Sequence, residues 1–181
     1  MVGKYQAGIN HYLEHFGCDM RIEAVEPKFP SGKASVQYTL KVHGHKIELG
    51  LSADGPCFET VLSEGDKYTL ALAFFFARLK DHGNLTGRIV VLDDPVNSLG
   101  NSRSSLIEGV VRDLRVRGAQ VIVLTHDERL AAMMWRDKKL MKEIVPLQVE
   151  RTNRGSQLVP RDVDRATQSE YVEHSAQFPI L

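Results

Sequence analysis

Arg88-Ile89-Val90-Val91-Leu92-Asp93-Asp94-Pro95 is the stretch that decides the fold. Four apolar residues in succession predict a strand buried on both faces, of the kind found inside a parallel sheet. Two carboxylates follow at once. Ligands of open α/β sheets bind outside the carboxyl ends of the strands, so Asp93 and Asp94 stand where a ligand would meet them. Charge held at such a place is costly unless a cation or a proton-bearing group uses it. A magnesium-bound nucleotide would use it well.

The flanking segments extend the pattern in both directions. Upstream, Leu62-Ser63-Glu64-Gly65-Asp66-Lys67 opens a helix predicted over Gly65 to Leu79. Ser63 suits the N-cap, and Asp66 puts negative charge in the first turn, where the helix dipole favours it. Gly65 permits close approach to the backbone. Amide groups exposed at such a terminus can receive an anion. Taken alone, the hexapeptide is simply a capped helix. Downstream, a second helix is predicted from about Ser102 to Arg117. Gly118 then leads into another apolar strand, Gln120-Val121-Ile122-Val123-Leu124, which ends at Thr125-His126-Asp127. Strand, helix and strand with short loops imply a right-handed parallel crossover. Phe74, Phe75 and Phe76, with Leu70, Leu72 and Leu79, read as core packing beneath the first of these helices.

The N-terminal part has a different pattern. A helix is predicted from about Tyr5 to Phe16, ended by Gly17. From Met20 to about Leu51 the chain is β-rich. Ser35 to Val42 alternates with period two, His43-Gly44-His45 makes a turn, and Lys46-Ile47-Glu48-Leu49 returns as a hairpin. Past the crossover, Ile144 to Glu150 and Gln157 to Val159 read as two strands around Asn153-Arg154-Gly155. Residues 161–181 read as a polar tail after a single lobe over 1–160.

Composition narrows the function classes. At 181 residues, with 43% apolar content, the chain can fill the core of one domain or one large lobe. Its 23 basic and 23 acidic residues cancel, so any nucleic-acid contact would have to be local. Cys18 and Cys57 lack a partner motif and fit a reduced, intracellular protein better than a disulfide scaffold. No apolar signal core or bilayer-length segment is present, and the expected location is cytoplasmic, without membrane contact.

The order of these parts resembles the C-terminal half of an ABC-type ATPase head, and within that family the SMC, RecF and anticodon-nuclease-associated branch more than the transporters. Leu62 to Lys67 is similar to the signature motif, Val90 to Pro95 to Walker B, Asn97-Ser98-Leu99-Gly100 to the D-loop, and Val123 to Asp127 to the switch-histidine segment. Ile9-Asn10-His11-Tyr12-Leu13 and the strands after it are similar to the segment that precedes the signature. The resemblance spans roughly Tyr5 to Val159, and four motifs in order are far more specific than any one.

The resemblance implies an α/β lobe of the P-loop NTPase class that uses ATP and Mg²⁺. Asp93 would hold the metal, largely through water. Asp94 would orient or deprotonate the attacking water, at a position where many relatives have Glu. His126 would sense the γ-phosphate. Ser63 and Gly65, with Glu64, Lys67 and Ser98, would serve a nucleotide at the face of a second head, so hydrolysis would need a head-to-head homodimer. Positioning and charge stabilisation supply most of the rate in such phosphoryl transfer. The implied settings are DNA or RNA maintenance, repair or phage defence, with a nuclease, toxin or nucleic acid as effector.

Two departures from the family pattern stand out. Gly100 replaces the usual acid of the D-loop. The phosphate-cradling string Gly-x-x-x-x-Gly-Lys-[Ser/Thr] is absent. Ser31-Gly32-Lys33-Ala34 is the nearest imitation, but Pro27 stands five positions before Gly32 and Ala34 lacks the hydroxyl for magnesium. The loop that wraps the β- and γ-phosphates supplies much of the nucleotide affinity. This chain alone is therefore expected to bind ATP poorly. The resemblance implies an N-terminal Walker A lobe, on the same or a separate polypeptide, with a coiled coil or insertion between the lobes.

Two other functions fit parts of the chain. An assembly module would contribute signature residues in trans without turning over nucleotide. His11-Tyr12-Leu13-Glu14-His15 also matches the inverted zinc-peptidase pattern, with His11 and His15 on one helical face, Glu14 close by, and His43 and His45 elsewhere. A five-residue match often arises by chance, and no downstream acidic helix offers a third ligand.

Overall fold

The structure, a computed structural model, describes residues 2–28, 35–47, 49, 55–96, 101–137 and 141–164. Helix α1 (Val2–His15) opens the chain, a turn earlier than its apolar pattern predicts. Its inner side carries Ile9, Tyr12 and Leu13, all buried. Gly17, at φ 66°, ends it through the left-handed conformation that glycine adopts without steric cost.

Strands β1 (Met20–Lys28), β2 (Ser35–Val42) and β3 (His45–Ile47) form an antiparallel sheet in the order β1-β2-β3. His43 and Gly44, at φ 49° and 80°, close the β2–β3 turn, as the primed two-residue turns of hairpins require. His45, expected in the turn, is the first residue of β3. Asn10 ties α1 to this sheet. Its side chain donates to the Ile22 carbonyl (2.9 Å) and accepts from the Ile22 amide (2.8 Å), pairing with β1 much as a neighbouring strand would.

After a short helix α2 (Phe58–Val61), helix α3 (Glu64–Lys80) packs along α1. Gly8 makes the approach possible, because a Cβ there would lie 3.3 Å from the Ala77 Cβ. Leu70, Leu72, Ala73, Phe76 and Ala77 of α3 are buried. Phe75 is a correction to the expected core, since it is exposed. It sits in a run of three phenylalanines, and a helix with one buried side cannot bury three consecutive residues.

Strand β4 (Ile89–Asp93), helix α4 (Asn101–Val116) and strand β5 (Gln120–Leu124) form the predicted crossover. The strands pair in parallel, with Val91 opposite Ile122 and Asp93 opposite Leu124. Gly118, at φ 89°, makes the turn before β5, where a Cβ would come within 2.6 Å of the Thr86 hydroxyl. The Arg117 guanidinium donates to the Leu79 carbonyl (2.6 Å) and to that of His82, closing the C-terminal end of α3.

Burial of β4 on both faces is overturned. Val90 and Leu92 are buried, whereas Ile89 is 62% exposed and Val91 51%. On β5, Ile122 and Leu124 are 39% and 50% exposed on the same face. An apolar run reports a strand suited to burial, but these two strands form a sheet by themselves among the described residues, and only one face is covered.

Helix α5 (Glu128–Arg136) follows β5 and had no strong signal in the sequence. Asp127 caps it by accepting from the Arg129 (2.8 Å) and Leu130 (3.2 Å) amides. Strands β6 (Leu147–Thr152) and β7 (Gly155–Pro160) make the expected hairpin. The first residues after β7 have contacts of their own. Arg161 pairs with Glu128, Val163 is buried, and the Trp135 indole donates to Asp164 (3.1 Å). Residues 165–181 lie outside the described residues.

Candidate functional site

The pairing of β4 with β5 brings the two acids and the histidine together. Asp93 ends β4 and shares the uncovered face with Ile89 and Val91 by strand alternation. Among the described residues no side chain pairs with its carboxylate. Asp94 leaves the strand at φ 48°, in the left-handed region that aspartate tolerates better than most residues. Its amide donates to the Leu124 carbonyl at 2.8 Å. That bend turns the Asp94 carboxylate toward the end of β5, where the His126 Nδ1 lies 2.6 Å from Asp94 Oδ2. The Thr125 hydroxyl stands 3.5 Å from Asp94 Oδ1 and accepts from the Asp127 amide at 3.0 Å. With Nδ1 engaged by Asp94, Nε2 is the nitrogen of this exposed imidazole left for a further group.

The signature-like residues gather at the start of α3. Ser63 is exposed and caps the helix. Its hydroxyl accepts from the Asp66 amide (3.1 Å) and donates to the Asp66 carboxylate (2.7 Å), while its own amide donates to that carboxylate (3.1 Å). Gly65 is half-buried, and its carbonyl accepts from the Thr69 hydroxyl at 2.7 Å. Lys67 donates to Glu59 (2.8 Å) and Glu64 (2.9 Å), bonds that raise its pKa. Glu64 and Lys67 thus bind each other beside the cap, and Ser63 is the group of this set that presents a hydroxyl at the surface.

Sequence reasoning missed the link between the two groups. The half-buried Tyr68, on α3, donates its hydroxyl to the Asp93 carbonyl at 2.9 Å and lies 3.3 Å from the Asp94 carbonyl. Burial, then the charges of Asp94 and Asp93, push its phenol pKa up, so the hydroxyl stays a donor. The only hint in the sequence is one hydroxylated aromatic on a helix whose other rings are phenylalanines. Asn97, Ser98, Leu99 and Gly100 lie outside the described residues, as do Ser31 to Ala34.

Asp93 fits a hard divalent cation: an oxygen donor at a strand end, with no competing cation among the described residues. The N-terminal histidines do not form a second centre. His11 and His15 lie with ring centroids 4.0 Å apart, and the His15 Nδ1 sits 2.8 Å from the His11 carbonyl. Burial, then the nearby His15 and Lys80, lower the His11 pKa. His43 pairs with Asp19 at 2.8 Å. Among the described residues no three His, Cys, Asp or Glu side chains converge as a metal cage. Nor, among them, is any helix long and apolar enough to cross a membrane.

The AAA domain family matches residues 29–171. A macrolide export ATP-binding/permease protein, MacB 1 of Escherichia coli O1:K1 / APEC, is 27% identical over 146 residues, covering 79% of this chain and 21% of that protein. MacB of Escherichia coli strain K12 is 27% identical over 126 residues, covering 70% of this chain and 18% of its own length. The chain thus spans about a fifth of the length of these curated relatives.

Among solved structures, a chain from work on ATP-driven dimerisation and DNA-stimulated activation of SMC ATPases aligns with a TM-score of 0.60. It is 14% identical, with 95% of this chain and 92% of that one covered. An Smc head with coiled coil and joint from Pyrococcus yayanosii aligns at 0.58 and 15% identity, with 95% and 29% covered. These likenesses share the mixed α/β fold with its parallel strand pair. The chain belongs to the AAA domain family, and its fold is that of the SMC head structures with which it aligns.

Proposed function

We propose that this chain is the signature-bearing C-terminal lobe of an ATPase head. It binds and hydrolyses Mg-ATP only when joined by a lobe with a phosphate loop and by a second head. The observation that carries this reading is the meeting of Asp94 and His126, 2.6 Å apart, at the carboxyl ends of adjacent parallel strands. Asp93, beside them, holds magnesium, which when bound would neutralise charge on the phosphates. Asp94 orients the attacking water and takes up its proton. His126 reads the γ-phosphate through Nε2. Ser63 and Gly65 face the nucleotide of the opposing head, and Glu64 and Lys67 shape that helix start. Ser98, which lies outside the described residues, is proposed to serve the same nucleotide.

The uncovered apolar face of β4 and β5 is the seat of the phosphate-loop lobe. Ile89, Val91, Ile122 and Leu124 lie there next to Asp93, and the sequence has no phosphate loop of its own. Burying such side chains favours association by about 25 cal/mol per Å² of apolar surface removed from water. A lobe seated there would bring its loop to the same strand ends that present Asp93. Coupling to DNA or RNA maintenance, repair or phage defence, through a coiled coil or an effector, follows from likeness to the SMC branch and stands as part of this proposal.

Colorimetric assay of phosphate release tests the reading. The chain alone should show no ATP-dependent turnover above background. Added to a lobe bearing the Gly-x-x-x-x-Gly-Lys-[Ser/Thr] loop, it should give magnesium-dependent hydrolysis. Equal turnover by the chain alone, or none by the assembled head, would contradict it.

A further inference from the structure

Asp94 holds a backbone conformation that few side chains adopt, and the groups around it account for that. Its amide is fixed by the Leu124 carbonyl on β5. The carbonyls of Asp93 and Asp94 both face the Tyr68 hydroxyl, at 2.9 and 3.3 Å. The turn is therefore gripped from two elements: β5 holds the amide side and α3 the carbonyl side. Left-handed residues outside glycine persist where their surroundings over-determine them, and they cluster at functional sites. Without the grip from α3, the peptide after Asp93 could relax toward ordinary strand geometry. Strand alternation would then swing the Asp94 carboxylate away from His126.

Tyr68 also lies on the helix that Ser63 caps, so one rigid element carries both the surface hydroxyl and the clamp on the acids. Resting on the ATPase reading above, we propose that Tyr68 is a positioning residue that holds the Asp93–Asp94 turn in its left-handed shape, so that the Asp94 carboxylate faces His126. It does not touch substrate. It acts through the backbone of the two acids.

The test is Tyr68→Phe, which removes one oxygen and keeps the ring, read in the assembled head alongside Asp94→Ala. A net hydrogen bond of ordinary strength corresponds to about a tenfold change in rate. The expected result is a kcat lower by about that factor, an unchanged KM for ATP and a thermal midpoint close to that of the parent. In the nucleotide-free head, the Asp94 ¹³Cα and ¹³Cβ shifts should move from left-handed toward extended values.

Unchanged Asp94 shifts in Tyr68→Phe would overturn the proposal, whatever the rate. So would an unchanged kcat in a head where Asp94→Ala abolishes hydrolysis. A kcat that falls only together with a large drop in thermal midpoint would also overturn it, since general destabilisation would then suffice. Failure of the ATPase reading looks different: the parent head would not hydrolyse ATP at all, and the chemical shifts alone would then decide the role of Tyr68.

Discussion

Replacing Asp94 with Ala should lower ATP hydrolysis by the assembled head by about 10²–10⁴-fold, the range typical of a positioned general base. Nucleotide binding should survive, because the affinity is expected to come chiefly from the phosphate loop. ATP-bound dimers should therefore accumulate, detectable as a nucleotide-dependent rise in mass by sedimentation. The physical reason is the bend at Asp94. It aims the carboxylate off the strand and onto the His126 ring at 2.6 Å, where a water beside the γ-phosphate would meet both groups. Asp94→Asn keeps the shape of the side chain but not its basicity, and should fall nearly as far. Full turnover in Asp94→Ala would favour an assembly module over an ATPase.

The second large effect is on stability. Phe76→Ala should lower the unfolding free energy by about 3–5 kcal/mol, read as a drop in urea midpoint with little change in slope. Phe76 is buried where α3 meets α1, with its ring centroid 5.5 Å from that of Tyr12 and 6.4 Å from that of Phe16. Truncation removes these ring contacts and leaves a cavity that two packed helices cannot easily close. Domains of this kind have only about 5–15 kcal/mol in total, so the loss would be large. The neighbouring Phe75, 39% exposed, should cost far less when truncated. An equal loss at both positions would contradict the assigned orientation of α3.

The helix start and the strand–turn framework around the candidate site were more legible in the sequence than the surfaces beside them. Ser63 with Asp66 announced the start of α3, and Gly118 the turn into β5, because caps and left-handed turns accept few residue types. The order of Ser63, Asp93 and His126 carried the resemblance, since motif order survives where overall identity does not. The exposure of Ile89 and Val91 was not legible. A strand evolved for burial has the same residues whether its cover lies on this chain or another.

Helix α5 was missed because it is short and its buried side, Leu130, Ala132 and Met134, is thinly marked. Tyr68 was missed because its bonds cross 25 and 26 positions of sequence, a distance no local pattern reports. Residues 161–164 looked polar because only Val163 among them is apolar, yet Val163 is buried and two polar contacts tie the segment to α5.

The central claim is that the acids and histidine of one head share a triphosphate with Ser63 of another. Mixing two variants of the assembled head tests it most directly. Asp94→Ala disables a head's own nucleotide site, and Ser63→Arg disables the site it completes on its partner, so each variant alone should be inactive. In a mixed dimer both defects fall on one nucleotide site and the other is intact, so the mixture should recover hydrolysis. A mixture as inactive as its two components would contradict the claim.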